Sequence, residues 1–544
     1  MFARVKKSGK YQYLQIVENS KVKGKVIQRV IATIGRMDQL QEKDRVETLI
    51  RSLSRFSEKV LLILSSKSDV SAASKKIGPA LIFQRLWEEL GIKKVIKELL
   101  YNRKFEFDVE RAIFLTVLHR LFVSGSDRSC EKWHRDYKIK GAGGLSLHHL
   151  YRAMTFLGEQ TEDQRDATPF SPRGIKDLIE EGIFLEHRNL FTGLDLVFFD
   201  TTSIYFEGEG GQSIGQKGHS KDHRPDLNQM VVGAVIDNKG KPVCCEMWPG
   251  NTADVKTLIP VIDRVRSRFN TGQFCIIADR GMISAENVNE LEKREIPYIF
   301  GTRMRKVKEI REDVLSYPGR YREVRPEGAL SKDPAPLKVK EVSLNGNRYI
   351  VCLNPKQARK EAHDRQAIID SLKEKIKAGP KSLIGNKGYR KYLKIDRDSV
   401  SIDQDKIERE SRFDGKWVLI TNTNFSAEQV ALKYKELWQV EHVFRDVKSV
   451  LEIRPVYHQK DGNIRGHVFC SFLALVLRKE LDRRLDEAGH SFEWVDIKQD
   501  LKSLQEVVIE DNGKSLALRT ECIGTCGNVF KAVRVALPPT IREL

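Results

Sequence analysis

The spacing of apolar residues changes several times along the chain, and each change predicts a different kind of element. In the first forty residues, Tyr11–Val17 and Lys25–Thr33 alternate or cluster β-forming side chains around the polar turn Glu18–Gly24, predicting a basic β-hairpin. From Ile77 to Leu157 the spacing becomes helical, over Ala80–Leu90, Val109–Val123, Arg128–Tyr137 and Leu147–Leu157. The last of these starts after Ser146 and stops at Gly158. It turns Leu147, Leu150, Met154 and Leu157 inward and His148, His149 and Arg152 outward, as a DNA-reading helix or a plain packing helix would.

Near Phe191 the pattern switches again. Leu194–Phe199 has only Asp195 as a polar residue and is apolar on both parities in its second half, predicting a strand covered on both faces. Gln229–Asp237 and Lys241–Trp248 flank the turn Asn238-Lys239-Gly240, a hairpin signal. A helix over Ala253–Phe269, a fourth strand Phe274–Ala278, a Ser284-capped helix to Arg294 and a fifth strand Ile296–Gly301 follow. About 140 residues then separate Ile299 from Glu441, far more than one connection needs. Within them Tyr349–Leu353, Tyr392–Ile395 and Trp417–Thr421 read as strands and Gln357–Ala378 as a charged helix.

A single helix is predicted over Ala427–Leu451, started by the Ser426/Gln429 capping box and stopped by Arg454-Pro455. Its expected inward stripe runs Val430, Tyr434, Leu437, Glu441, Phe444, Lys448, Leu451. Charges on such a stripe are costly unless compensated, which a divalent metal or a phosphate would do. The plainer alternative is a surface helix carrying a Glu441–Arg445 pair.

Charge narrows the partner. Lys and Arg number 94 against 75 Asp and Glu, a formal charge of +19 that favours nucleic acid over small acidic ligands. The eight cysteines are scattered and imply no disulfide framework, and the lone Cys522/Cys526 pair lacks the partners of a zinc site. Apolar runs such as Phe472–Leu477 fall well short of the roughly 18 residues that span a bilayer. The expectation is a soluble, intracellular protein without a membrane-spanning segment.

Two of the apolar strands deliver an Asp at the same end, Asp200 after the first and Asp279 after the fourth. If those strands are neighbours, the carboxylates lie close and repel, which raises a pKa unless a cation sits between them. Hard oxygens without nearby Cys or His suit Mg²⁺ or Mn²⁺ better than zinc, and Glu441 would supply a third carboxylate.

These residues, with Phe199-Asp-Thr-Thr-Ser203, Gly218-His-Ser-Lys-Asp-His-Arg-Pro-Asp226, Pro249-Gly-Asn-Thr-Ala-Asp254, Ala278-Asp-Arg-Gly-Met282 and Phe444-Arg-Asp-Val-Lys448, resemble the DDE transposases of bacterial insertion sequences. The likeness covers about Leu194–Leu477 and is to the subgroup with a Tyr-Arg-Glu-Lys signature, here Tyr434, Glu441 and Lys448. The signature Arg falls on Leu437, so a phosphate contact there is not carried over; Arg445 is a candidate replacement.

The resemblance implies an α/β fold with a ribonuclease-H-like core, a mixed five-stranded sheet interrupted by a β-rich insertion domain. It implies this layout: hairpin module 1–40, helical and DNA-binding region 41–190, core 191–303, insertion 304–425, second part of the core 426–485, and a C-terminal tail 486–544. It also implies two Mg²⁺ or Mn²⁺ ions, with Asp200 bridging and Asp279 and Glu441 each completing one. Such ions would activate a water or 3′-hydroxyl for in-line attack at phosphorus. Tyr434, Lys448, Arg445, Arg280, Lys221, His223 and Arg224 would contact DNA; His219 and His223 also stand as alternative metal ligands. The function implied is binding of terminal inverted repeats, cleavage at the element ends and joining of 3′ ends to target DNA, by at least a homodimer. A nuclease of the same fold without strand transfer and a domesticated DNA-binding protein are the alternatives; the charge excess and the lack of a phosphate-cradling glycine loop disfavour a small-ester phosphohydrolase.

Overall fold

The computed structural model describes residues 2–22, 25–41, 71–123, 125–168, 171–186, 195–325, 337–377, 389–395, 400–446, 448, 453–511 and 514–544. The chain divides into two compact units, Met154–Val476 and Met1–Ala153 with Leu477–Leu544.

Unit Met154–Val476 is built on one mixed sheet of nine strands. In chain order these are β1 (Leu196–Tyr205), β2 (Gln229–Asp237), β3 (Pro242–Pro249), β4 (Cys275–Ala278), β5 (Tyr298–Gly301), β6 (Arg322–Val324), β7 (Leu337–Leu344), β8 (Asn347–Leu353) and β9 (Lys416–Thr421). Across the sheet the order is β6-β7-β8-β9-β5-β4-β1-β2-β3. The β1/β4 and β4/β5 pairs are parallel and the others antiparallel. The expected adjacency of the first and fourth strands is therefore present. The sheet exceeds the five strands expected because the inserted segment does not keep its strands to itself: β9 pairs with the free edge of β5, and β8, β7 and β6 extend it. Among the described residues of the insert, Leu393–Ile395 and Val400–Ile402 form a separate small sheet.

Every residue of β1 is buried except Asp200 and Tyr205, as its two-parity apolar pattern requires. Helices α1 (Leu258–Phe269) and α2 (Ala285–Lys293) close one core, in which Leu258, Val261, Val265 and Leu291 pack with Phe199, Ala278 and Phe300. Helix α3 (Pro355–Lys377) is the charged helix of the insertion.

The helix expected over Ala427–Leu451 is two helices among the described residues, α4 (Ala427–Lys435) and α5 (Trp438–Arg445); 447 and 449–452 lie outside the described set. The capping box at Ser426 and Gln429 forms as predicted. The break is an overwound turn, in which Leu437, Gln439 and Val440 donate backbone N–H bonds to carbonyls three residues back instead of four. Overwinding advances the helical phase. Val440 takes the buried position expected for Glu441, and Glu441 is exposed. The break also steers the chain: α4 crosses β4, β5, β7 and β8, whereas α5 crosses β1 and β2.

In the other unit the N-terminal module is a three-stranded antiparallel sheet, Phe2–Ser8, Tyr11–Val22 and Lys25–Arg36, one strand more than the expected hairpin. The extra strand folds back at Gly9, whose φ of +60° suits a residue without Cβ. Residues 42–70 of the expected helical region lie outside the described set. Helices Gly78–Glu89, Val109–Phe122 and Asp127–Trp133 match the periodicity, and Ile92–Leu100 is a further helix that was not expected. The tail is part of this unit, with Gln505–Asp511 pairing with Ser71–Lys76. No described helix is long and apolar enough to cross a membrane.

Candidate active site

The site begins with a strand register. β1 and β4 run parallel, their last paired residues being Phe199 and Ala278, so Asp200 and Asp279 occupy the next positions on neighbouring strands. β4 stops there and turns, Met282 N–H donating to the Asp279 carbonyl at 3.0 Å. β1 does not stop; it continues to Tyr205 against β2, so Asp200 lies within a strand and not at the end predicted for it. The shared acid edge exists because β4 is short.

Asp200 Oδ1 accepts the Thr201 N–H at 2.7 Å. Its pKa is raised to about 6, chiefly by burial; Lys221 and the Thr201 N–H oppose the shift, and the Asp279 and Asp254 carboxylates reinforce it.

Asp254 is a carboxylate the sequence reading passed over, although it closes the quoted Pro249–Asp254 motif. Its Oδ1 accepts the Thr201 hydroxyl at 2.7 Å, and Lys221 Nζ lies 3.1 Å from its Oδ2. Lys221 also donates to the Thr201 carbonyl at 2.7 Å. This lysine was expected on DNA; its ammonium is instead committed to the protein beside Asp200.

Tyr434 likewise differs from expectation. Its hydroxyl donates to Asp279 Oδ1 at 3.1 Å, and its pKa is pushed far up by burial and then by the Asp279 charge. Gly301 makes the approach possible, since a Cβ there would lie 2.3 Å from the Tyr434 oxygen. The tyrosine hydroxyl is thus engaged by a carboxylate of the acid edge.

Asp279 and Glu441 line the same cavity, of about 1070 Å³. Arg280, Arg303, Arg305, Lys306, Lys416, Lys435 and Trp438 also line it, together with Glu361. Trp438 is 53% exposed and packs edge-on against His442. These cations, Arg280 apart, were not singled out in the sequence, because nothing in their local pattern separates them from the chain's other lysines and arginines.

Lys448 does not stand free for a phosphate. Its ammonium donates to Asp222 Oδ1 at 2.7 Å, and Arg454 pairs with the same oxygen. Arg224 pairs with Asp226 at 2.9 Å on the exposed loop, where His219 and His223 are also exposed. Arg280 and Arg445 are exposed, and Leu437 is buried in place of the signature Arg.

Among the described residues no three His, Cys, Asp or Glu side chains are gathered tightly enough to hold a metal ion, Asp200, Asp279 and Glu441 included. Glu441 is exposed on α5, with Val440 turned inward in its place. The donor chemistry nevertheless fits a divalent cation: two carboxylates occupy adjacent positions on neighbouring strands, and a third opens on the same cavity as one of them.

Comparison with known proteins identifies the family. Residues 192–477 match the family model described as Transposase DDE domain, and residues 3–68 match the IS1634 family transposase N-terminal domain. No curated protein sequence matches the chain. A solved structure of piggyBac transposase in a synaptic complex with hairpin DNA aligns over 78% of this chain and 79% of its own, at 11% identity and a TM-score of 0.36, too distant to inform the site. With more than half its length matched by the first model, the chain belongs to the transposase DDE domain family, as a DDE transposase of insertion sequences.

Proposed function

We propose that this transposase binds the terminal inverted repeats of its own element, cleaves DNA at the element ends and transfers the freed 3′ ends to target DNA. Its core is read as ribonuclease-H-like, on the strength of the β3-β2-β1-β4-β5 order with β2 antiparallel to β1. The observation that carries the reading is the register that sets Asp200 beside Asp279, with Glu441 on the wall of the cavity Asp279 lines. Asp200, Asp279 and Glu441 are the residues that would hold two Mg²⁺ or Mn²⁺ ions. Bound there, such ions supply a low-pKa water or 3′-hydroxyl and offset charge on the oxygens at the reacting phosphorus.

The chain's own residues do the rest. Tyr434 holds the Asp279 carboxylate by its hydroxyl, so that oxygen keeps one orientation. Arg303, Arg305, Lys306 and Lys416 line the cavity that Asp279 and Glu441 also line and offer cations to a strand's phosphates, and Arg303 is itself braced by the Arg280 carbonyl at 3.2 Å. Trp438 offers a ring face for a base at the rim. Two DNA ends require two copies of the chain, hence a homodimer.

The test is incubation with DNA carrying candidate terminal repeats and Mg²⁺ or Mn²⁺. Wild type is expected to nick at the repeat and to join pre-cut ends, and Asp200→Asn, Asp279→Asn and Glu441→Gln to do neither. Nicking without joining would leave a nuclease, and nicking that survives Asp200→Asn would refute the assignment.

A further inference from the structure

The loop between β1 and β2 and the loop after β3 touch with no side chain between them. A Cβ on Gly218 would lie 1.9 Å from the Gly250 carbonyl oxygen, so both positions need glycine-like backbone contact. That contact delivers Lys221 from one loop and Asp254 from the other to the same point on β1. The Lys221 N–H donates to Ser203 Oγ at 2.8 Å, docking its loop along the strand. Its ammonium then donates to the Thr201 carbonyl at 2.7 Å and the Thr201 hydroxyl at 3.0 Å and forms an ion pair with Asp254 Oδ2 at 3.1 Å. Asp254 faces both acid-bearing strands: Oδ1 takes the Thr201 hydroxyl, and Oδ2 lies 3.7 Å from where Gly281, two residues past Asp279, would carry a Cβ. Thr201 closes the chain of contacts by donating its N–H to Asp200.

We propose that Lys221 and Asp254 form a positioning pair that locks Thr201, and through it the Asp200 carboxylate, in the orientation that receives a divalent ion. The inference rests on the reading of Asp200 as an ion ligand. Neither residue touches the reacting atoms. Lys221 supplies positive charge to the acid edge and Asp254 keeps that charge from moving onto Asp200 itself. Groups that orient a metal-binding carboxylate typically change metal affinity by about 10–100-fold when removed.

The experiment measures Mn²⁺ binding to the full chain by the electron paramagnetic resonance of the free ion, together with the Mn²⁺ dependence of nicking. Lys221→Gln and Asp254→Asn are each expected to weaken Mn²⁺ binding about tenfold. The double variant should be no weaker than the singles, because the two act as one unit. Lys221→Arg should recover most of the loss, and nicking at saturating Mn²⁺ should fall less than the midpoint shifts. If Lys221→Gln does not fold, the isosteric Asp254→Asn carries the test. Unchanged Mn²⁺ binding in folded variants overturns the proposal. So does tighter binding in Lys221→Gln, the result expected if the lysine merely competes with metal. Asp200→Asn separates the two levels: if it binds Mn²⁺ as wild type does, or if wild type binds none, the ion-site reading fails and takes this inference with it.

Discussion

Two groups of charged side chains lie in the unit Met154–Val476, and they are built on opposite terms. Around β3 and α1, the side chains of Lys176, Asp177, Glu180, Glu246, Arg264 and Arg268 are almost wholly buried, yet each carboxylate has a cation at hydrogen-bond distance. Asp177 meets Lys176 at 2.7 Å and Arg264 at 2.8 Å, Glu180 meets Arg268 at 2.5 Å, and Glu246 meets Arg264 at 2.9 Å. Burial works against the Asp177 charge, but Lys176, Arg268 and Arg264 outweigh it and hold the acid well below the usual carboxylate range. At the ends of the β1/β4 pairing the acids instead face one another, and the nearest ammonium, on Lys221, is bonded to Thr201 and Asp254. Burial, reinforced by the Asp279 and Asp254 charges, raises the Asp200 pKa to about 6 against the pull of Lys221. The first group ties helix Ile175–Glu186 to the sheet, and the second leaves negative charge for something else to neutralise. Counting charges does not distinguish the two; counting partners does.

The contrast breaks most readily at Arg268. Removing one partner of a buried network leaves the others uncompensated, so Arg268→Ala should destabilise the chain by about 3–5 kcal/mol in urea unfolding. A loss within experimental error would mean the network is solvated and the comparison is void. Asp200→Asn should act in the opposite direction, stabilising the metal-free chain on the order of 1–3 kcal/mol above neutral pH. The sign follows from a folded pKa raised above the ordinary value: the protonated form stabilises the fold, and that contribution is lost as pH rises through about 6. The gain from Asn should therefore vanish below about pH 4, where the native Asp is protonated in both states. Thermal melts across that range check it, and a destabilised Asn variant at neutral pH would contradict it.

Smaller effects sharpen the functional side. Trp438→Ala should weaken DNA-end binding by about 1–3 kcal/mol if the ring stacks on a base, read by fluorescence anisotropy. Arg303→Ala should lower the slope of log affinity against log salt by about one, whatever the DNA sequence. Tyr434→Phe keeps the ring and loses only the bond to Asp279, so a modest drop in nicking of about tenfold, with binding unchanged, is expected.

Much of this was legible in the sequence because it depends on local pattern. The two-parity apolar run of β1, the turn before β3 and the Ser284 and Ser426 caps each fix an element from a few residues. Asp200 and Asp279 were found because strands with such runs end near them. Glu441 was found for a partly mistaken reason: its stripe position assumed an ideal helical period, and an overwound turn at Leu437–Val440 moved Val440 inward in its place. Lys221, Lys448 and Tyr434 were assigned to DNA because a sequence shows a charge or a ring but not its partner. Their partners, Asp254, Asp222 and Asp279, stand 33, 226 and 155 positions away. The extension of the sheet by β6–β9 was hidden for a related reason, since an unpaired strand edge on β5 has no signature of its own.

The central claim is that Asp200, Asp279 and Glu441 act on the same bound ions. Fe²⁺ loaded in place of Mg²⁺ onto the DNA-bound chain, with ascorbate and peroxide, generates hydroxyl radicals that cut the polypeptide next to the ion. The account predicts fragments ending near residues 200, 279 and 441 together, all suppressed by excess Mg²⁺. Cutting near 200 and 279 without 441, or cutting that Mg²⁺ does not suppress, would contradict it.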